Sequence, residues 1–166
     1  MGAGTGTNAL WLAQQGFDVL GVDVSPLAVK QARGKTESSG LRCRFEVHDF
    51  LVDPPTGEFA FVFDRGCFHV FDEADARARF AKRVAERLAP GGVWLSLIGS
   101  TEGPAREFGP PRRSACDVVM AIEPVLAIDE LTAIMFTAHG AVPVAAAWRC
   151  VARLRRIPPQ PSTRRD

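Results

Sequence analysis

A glycine-rich turn, three acids that each follow an apolar run, and one histidine are the groups in this chain able to do chemistry. Gly2, Gly4 and Gly6 alternate with Ala3 and Thr5. A backbone without Cβ atoms turns sharply and lets a ligand come close. Thr7 is placed to cap a helix, and free N–H groups at that helix start favour a negative or polar ligand group. Asp23, Asp49 and Asp64 follow the apolar or alternating runs 17–22, 41–47 and 59–63. Open α/β sheets bind ligands at the C-terminal ends of their strands, where these acids fall. His69 has a side chain able to take a proton from a hydroxyl or thiol near neutral pH, or to hydrogen-bond the backbone of its own turn. Cys67 reads as a small packing residue rather than a nucleophile. Phe68 and Phe71 read equally as core or as the wall of an apolar pocket.

The segments between these groups have the periods of helices and strands. Ala9, Leu10, Leu12 and Ala13 give the first helix, and Gly16 stands where a helix ends. The run 17–22 is a buried strand. Val24 separates Asp23 from Ser25-Pro26, a strong helix start, and Leu27, Ala28, Val29 and Ala32 form that helix's apolar side. The run 41–47 is the next strand. Residues 53–57 are a loop by composition, and 59–63 is an aromatic buried strand. A helix over 73–88 carries Ala76, Phe80, Val84 and Leu88 at steps of four, and Pro90-Gly91-Gly92 stops it before a strand over 93–98. The turn-rich stretch 99–113 reads as a binding loop or lid. Ser114 opens a short helix through Ala121. Runs 125–137 and 142–154 form an antiparallel hairpin at the sheet edge, with its tip at His139-Gly140. Strands alternating with helices predict an α/β fold with a doubly wound, mostly parallel sheet, which lines Asp23, Asp49 and Asp64 along one edge.

Composition narrows the partners. The chain has 166 residues with 46% hydrophobic and 23% charged content, enough for one domain with a real core. A formal net charge of +1 gives no electrostatic argument for nucleic acid or a membrane surface. No apolar run is long enough to span a bilayer, and a basic-then-apolar leader is not seen, so the expected location is the cytoplasm. The cysteines, Cys43, Cys67, Cys116 and Cys150, are not spaced as zinc or redox pairs. His48, His69 and His139 lie on separate elements, so no metal site is expected. The basic, proline-rich segment 155–166 is expected to be a disordered tail, leaving 1–154 as the domain.

Gly2-Ala3-Gly4-Thr5-Gly6, followed by a helix, a strand and Val22-Asp23, resembles motif I of the class I S-adenosylmethionine-dependent methyltransferases. The dinucleotide fingerprint G-x-G-x-x-G would need glycine where Thr7 stands, which disfavours a nicotinamide-dependent oxidoreductase. The resemblance continues through His48-Asp49-Phe50, the run from Phe63 to His69, and Leu88-Ala89-Pro90-Gly91-Gly92. The Asp-x-Gly-x-Phe-His form is similar to small-molecule methyltransferases near the thiopurine, tellurite-resistance and quinone groups. The resemblance implies a Rossmann-like fold. It also implies S-adenosylmethionine bound by Gly2, Ala3, Gly4, Thr5, Gly6, Asp23, Val24, Asp49, Phe50 and Asp64. In that scheme Asp23 takes the ribose hydroxyls, Asp49 takes the adenine amino group, and Phe50 packs on the base. Asp64 and His69 are the implied catalytic pair, and the acceptor is a small-molecule thiol, phenol or quinol.

The family's first strand, which precedes the glycine turn, is not in the sequence. Runs 17–22 and 59–63 should flank that strand, so each is expected to keep an unpaired edge. Such a chain is expected to be less stable than an extended version and to aggregate or form a homodimer through the gap. Beside the active enzyme, this leaves a second reading, a truncated domain that binds cofactor with impaired catalysis.

Overall fold

A computed structural model describes residues 1–37, 39–104, 109–136 and 145–155. Its elements run α1 (Thr7–Gln14), β1 (Val19–Asp23), α2 (Pro26–Thr36), β2 (Cys43–Val47), β3 (Phe59–Arg65), α3 (Ala74–Ala85), β4 (Leu88–Gly99), α4 (Ala115–Ile122), β5 (Ala127–Phe136) and β6 (Ala145–Arg153). The architecture is α/β, as the periodicity predicts, and Rossmann-like, as the resemblance implies. The predicted hairpin tip at His139-Gly140 lies outside the described residues, as does the tail beyond Arg155.

Local chemistry sets the boundaries. The Ser25 hydroxyl accepts from the Ala28 N–H at 3.3 Å, with Pro26 in the first helical turn, so α2 starts where the sequence places it. Ser114 and Asp117 close a reciprocal capping box on α4. Helix α3 stops at Ala85, short of the expected Leu88. Leu88 already pairs with Phe59, and the ladder resumes at Phe61 and Val93. The Pro90-Gly91-Gly92 turn is thus an excursion within β4 rather than a terminator before it. Gly92 has no room for a Cβ, which would lie 2.8 Å from the Ala89 and Phe59 carbonyl oxygens.

The sheet is in two pieces. β1 pairs with β2 in parallel, and the other piece has the order β3-β4-β6-β5. β3 and β4 are parallel, whereas β6 runs antiparallel to both β4 and β5. Parallel and antiparallel ladders are therefore equal in number among the described strands, because the late hairpin inserts β6 beside β4 and puts β5 at the rim. Phe68, Phe80, Trp94, Ile98, Ile122 and Trp148 anchor the larger core, and Val22 and Phe50 join it. A second cluster of Ala9, Val29, Ala32 and Phe45 fastens α1 and α2 to the β1–β2 pair.

The expected open edges are present. β1 and β3 face each other across a slot, and a cavity of about 350 Å³ runs along it, lined by Leu12, Phe17, Leu20, Phe61 and Phe63 among others. The first residues bridge it by hydrogen bonds, and the Phe17 and Phe61 rings meet across it with centroids 6.3 Å apart. The Met1 ammonium donates to the Phe63 carbonyl at 2.7 Å, and the Ala3 N–H donates to the Val22 carbonyl at 2.9 Å. Burial pushes the Met1 ammonium pKa down.

Candidate active site

The C-terminal ends of β1, β3, β4 and β5 lie along one edge, and the glycine turn crosses that edge beside β1. Gly2, Gly4 and Gly6 all have positive φ, at 58°, 53° and 85°. Each serves a different end. A Cβ on Gly2 would press on Cys67 at 3.2 Å, and one on Gly6 would strike the Phe45 ring at 2.8 Å. Gly6 and Gly21 together make room for Phe45, so they let α1 and β1 pack closely. A Cβ on Gly4 would meet nothing within 4 Å. Gly4 is therefore the glycine that faces open space, where a ligand can reach the backbone.

Asp23 holds this turn in shape. One carboxylate oxygen accepts the Gly4 N–H at 2.8 Å and the other accepts the Ser25 N–H at 2.9 Å. Each oxygen keeps a second acceptor position, so a pair of hydroxyls can be taken without releasing the turn. Lys35 reaches across to the Thr5 carbonyl at 2.7 Å. Val24 is 67% exposed beside Asp23 and offers an apolar surface to a ligand.

At the end of β2, Asp49 is exposed, and one of its oxygens accepts the Leu51 N–H at 2.9 Å. Phe50 departs from expectation. It is 8% exposed with its ring centroid 5.3 Å from that of Phe80, so it is a core residue rather than a free face for a base. Next to Asp49, His48 binds the Asp53 carbonyl and the Glu46 carboxylate at 2.8 and 3.0 Å. Burial lowers its pKa, but these hydrogen bonds and the Asp53 and Glu46 charges outweigh it and raise the pKa on balance.

Two further expectations are corrected by geometry. Asp64 is fully buried, and it accepts the Cys67 N–H at 3.2 Å, the Phe68 N–H at 3.1 Å and the Trp94 indole N–H at 2.9 Å. It is occupied beneath the surface, where it folds the turn after β3. His69 is 3% exposed, and its Nδ1 accepts the Gly99 N–H at 2.6 Å. That bond puts the ring proton on Nε2, so the ring as it sits has no acceptor nitrogen to offer a substrate proton. It ties the 3-10 turn Phe68–Val70 to the end of β4. Cys67 agrees with its packing assignment, since burial pushes its thiol pKa up to about 12.

Sequence reasoning missed the arginines that brace this wall. Arg77 is buried and donates to the Phe71 and Asp72 carbonyls and to Asp117. Arg113 donates to the Phe71 carbonyl and the Asp72 carboxylate, while its own carbonyl accepts from the Trp148 indole. The periodicity of α3 puts position 77 on the inner side, and that was the available signal. Among the described residues, no group of three or more His, Cys, Asp and Glu is arranged to hold a metal ion. No described helix is long and apolar enough to cross a membrane.

Comparison with known proteins matches residues 1–92 to the model of a methyltransferase domain. A probable thiol methyltransferase 2 from Arabidopsis thaliana is 31% identical over 112 residues, which is 66% of this chain and 48% of that protein. A demethylmenaquinone methyltransferase from Thermus thermophilus is 34% identical over 125 residues, covering 74% of this chain and 51% of that protein. A solved structure concerned with conversion of a disulfide bond into a thioacetal group during echinomycin biosynthesis superposes with a TM-score of 0.80 at 28% identity. It covers 92% of this chain and 72% of its own. The chain spans about half the length of the relatives it matches.

Proposed function

Since the chain belongs to the methyltransferase-domain family, we propose that it transfers a methyl group from S-adenosylmethionine to a small-molecule nucleophile. The observation that carries this reading is the clasped turn. Asp23 holds Gly4 and Ser25 while keeping acceptor positions free, and Gly4 leaves open space in front of the backbone. A dihydroxylated sugar with a polar chain beside it fits that donor and acceptor set. The thiol and quinone methyltransferases among the matched relatives support a thiol, phenol or quinol as acceptor.

When bound, S-adenosylmethionine supplies an already activated methyl group on a sulfonium. The glycine turn with Asp23 and Asp49 would hold it, and it would supply that methyl to the acceptor's lone pair while keeping the carbon–sulfur electron pair on its own sulfur. What the chain contributes is alignment and exclusion of water. Asp23 and the glycine turn fix one partner. Asp49 presents an exposed carboxylate oxygen to an amino group at the next strand end. The wall built on Asp64, Trp94 and His69 fixes the other side, so those residues act by positioning. The acceptor proton leaves to solvent, or the acceptor enters ionised.

The four cysteines are free, in keeping with a reducing cytoplasmic setting. Pairing of the open β1 and β3 edges between two copies belongs to the same reading, with neither nucleic acid nor membrane as partner. Calorimetry with S-adenosylhomocysteine and with NAD, followed by methyl-transfer assays on a thiol and phenol panel, tests it. Micromolar binding of the first alone, with turnover of at least one acceptor class, is expected. Binding of NAD instead would overturn the reading, and binding without any turnover would favour the catalytically impaired alternative.

A further inference from the structure

His48 follows β2 directly, and its ring is set between an acid of the strand and an acid of the loop after it. Nδ1 lies 2.8 Å from the Asp53 carbonyl oxygen and 3.3 Å from the Asp53 carboxylate, and Nε2 lies 3.0 Å from the Glu46 carboxylate. A carbonyl and an ionised carboxylate can only accept, so both ring nitrogens have to donate. A neutral ring carries one N–H and one lone pair, and that lone pair would face an oxygen. The doubly protonated ring satisfies both sides.

What this ring holds is the turn that presents Asp49. The Asp49 carbonyl accepts the Val52 N–H at 3.1 Å and the Asp53 N–H at 2.7 Å, and its carboxylate accepts the Leu51 N–H at 2.9 Å. Asp53 is thus held on its N–H by Asp49 and on its carbonyl by His48. The His48 N–H in turn donates to the Asp23 carbonyl at 3.1 Å, which anchors the ring to the strand end that carries Asp23. Charged groups surround it on each neighbouring element. On β2, Glu46 faces it, and Arg44 stands 4.0 Å behind Glu46 while pairing with Asp18 just ahead of β1. On the loop, Asp53 faces it and Asp49 adjoins it in the chain. From α3, Arg83 donates to the Leu51 carbonyl at 3.3 Å and pairs with Glu86. The Asp53 side chain is 80% exposed against 20% for His48, so water screens that carboxylate and the Asp53 carbonyl is the firmer hold.

Resting on the methyl-transfer reading above, we propose that His48 is a positioning residue whose imidazolium closes the 48–53 turn and so holds the Asp49 carboxylate where it meets the cofactor's amino group. Cofactor affinity is then highest while the ring is protonated and falls as pH rises through its folded pKa. Loss of the proton turns a lone pair toward Glu46 or toward the Asp53 carbonyl. That side of the clamp opens, and Asp49 is left to the hydrogen bonds of its own turn. The linkage runs both ways: a ligand that needs the closed turn binds the protonated form better, so binding raises the pH at which His48 titrates. His48 acts through Asp49 and has no part in the transfer step.

The test is calorimetric affinity for S-adenosylhomocysteine, measured on the full chain from about pH 5.5 to about pH 8.5, on either side of the ordinary histidine value. Wild type should bind about fivefold more weakly at the alkaline end than at the acid end. His48→Gln, which has no charge, should bind at the weaker level throughout. His48→Arg, which donates on both sides and does not titrate, should bind at the tighter level throughout. Comparing the three proteins at each pH cancels the ligand's own titration. A residue that served only folding would produce no slope with pH that a permanent charge restores. In an Asp49→Ala background, His48→Gln should change affinity by less than about twofold, because the acid it positions is gone. Nuclear magnetic resonance of the imidazole C–H signals, assigned by their loss in His48→Gln, reads the linkage directly: the His48 midpoint should move to higher pH when S-adenosylhomocysteine is added. A wild-type profile parallel to that of His48→Gln, a midpoint that the ligand does not move, or a full His48→Gln effect in the Asp49→Ala background would overturn this role and leave the methyl-transfer reading standing. Wild-type protein that binds no S-adenosylhomocysteine at any pH would refute that reading and this inference with it.

Discussion

Replacing Asp64 by asparagine keeps its shape and changes only its hydrogen bonding, so it asks whether this acid folds the wall or does chemistry. In the structure one oxygen accepts the N–H groups of Cys67 and Phe68, and the other accepts the Trp94 indole N–H. An amide has one oxygen. If that oxygen faces Cys67 and Phe68, the amide nitrogen points a donor at the Trp94 donor. If it is flipped, Trp94 is satisfied and the two backbone donors are stranded. A charge-assisted bond contributes about 1.5–3 kcal/mol, and a stranded buried donor costs about 1–3 kcal/mol. The site is fully buried, so solvent does not soften the loss. Together these give a destabilisation of about 2–4 kcal/mol, a large share of the roughly 5–15 kcal/mol that holds a domain together. For a chain of this size that is a fall in Tm of about 5–15 °C. Urea unfolding followed by tryptophan fluorescence suits the measurement, because Trp94 reports on the contact itself. A variant within about 0.5 kcal/mol of wild type that has nevertheless lost methyl transfer would refute the reasoning and return Asp64 to the chemistry.

Asp23→Ala should weaken S-adenosylhomocysteine binding by roughly 2–4 kcal/mol, since it removes two charge-assisted ligand bonds and loosens Gly4 and Ser25; calorimetry reads it, and unchanged affinity would remove the ribose role. Gly4→Val should abolish that binding while far-ultraviolet circular dichroism stays close to wild type, because the new side chain enters open space but must adopt a positive φ; normal binding would mean that this turn is not the cradle. His69→Ala should lower stability and acceptor turnover together, with little change in cofactor affinity; a pure rate loss in a protein of unchanged stability would make His69 a base after all. His48 has a folded pKa above its ordinary value near 6.5, so its contribution is fully present below that value and is lost as pH rises through the folded pKa. The stability gap between wild type and His48→Gln should therefore be largest in mild acid and close at alkaline pH, and a gap that widens with pH would contradict the assigned partners.

The elements were legible because their signals are local. Ser25-Pro26 fixes α2, the four-residue steps of Ala76, Phe80 and Val84 fix the buried side of α3, and the alternation of small residues around Gly4 fixes the turn. The side-chain roles were less legible because they depend on what lies across the fold. Nothing near Asp64 in sequence shows that Trp94 donates to it, or that Gly99 donates to His69. Phe50 reads equally as a ligand face or as core until Phe80 is seen against it. Arg65 and Phe136 are 71 positions apart, and only the strand order brings the guanidinium of one to 5.1 Å from the ring centre of the other. The α3 boundary failed for another reason: Leu88 has a helical period but is claimed by Phe59, so a tertiary ladder overrides local preference.

The slot between β1 and β3 divides the described strands into two plates, each with its own ladder. Asp23 and the glycine turn ride on the β1–β2 plate, while Asp64, Trp94 and His69 ride on the four-stranded plate. The pieces touch through Met1 and Ala3 at the edge, through the Phe17 and Phe61 rings across the slot, and through Val22 and Phe50 packed on the α3 side. A ligand that lies on both plates acts as a rivet between them. Amide protons along the slot-facing edges of β1 and β3 would then exchange quickly with solvent in the free protein and slow on binding, while those in the β4–β6 ladder barely change.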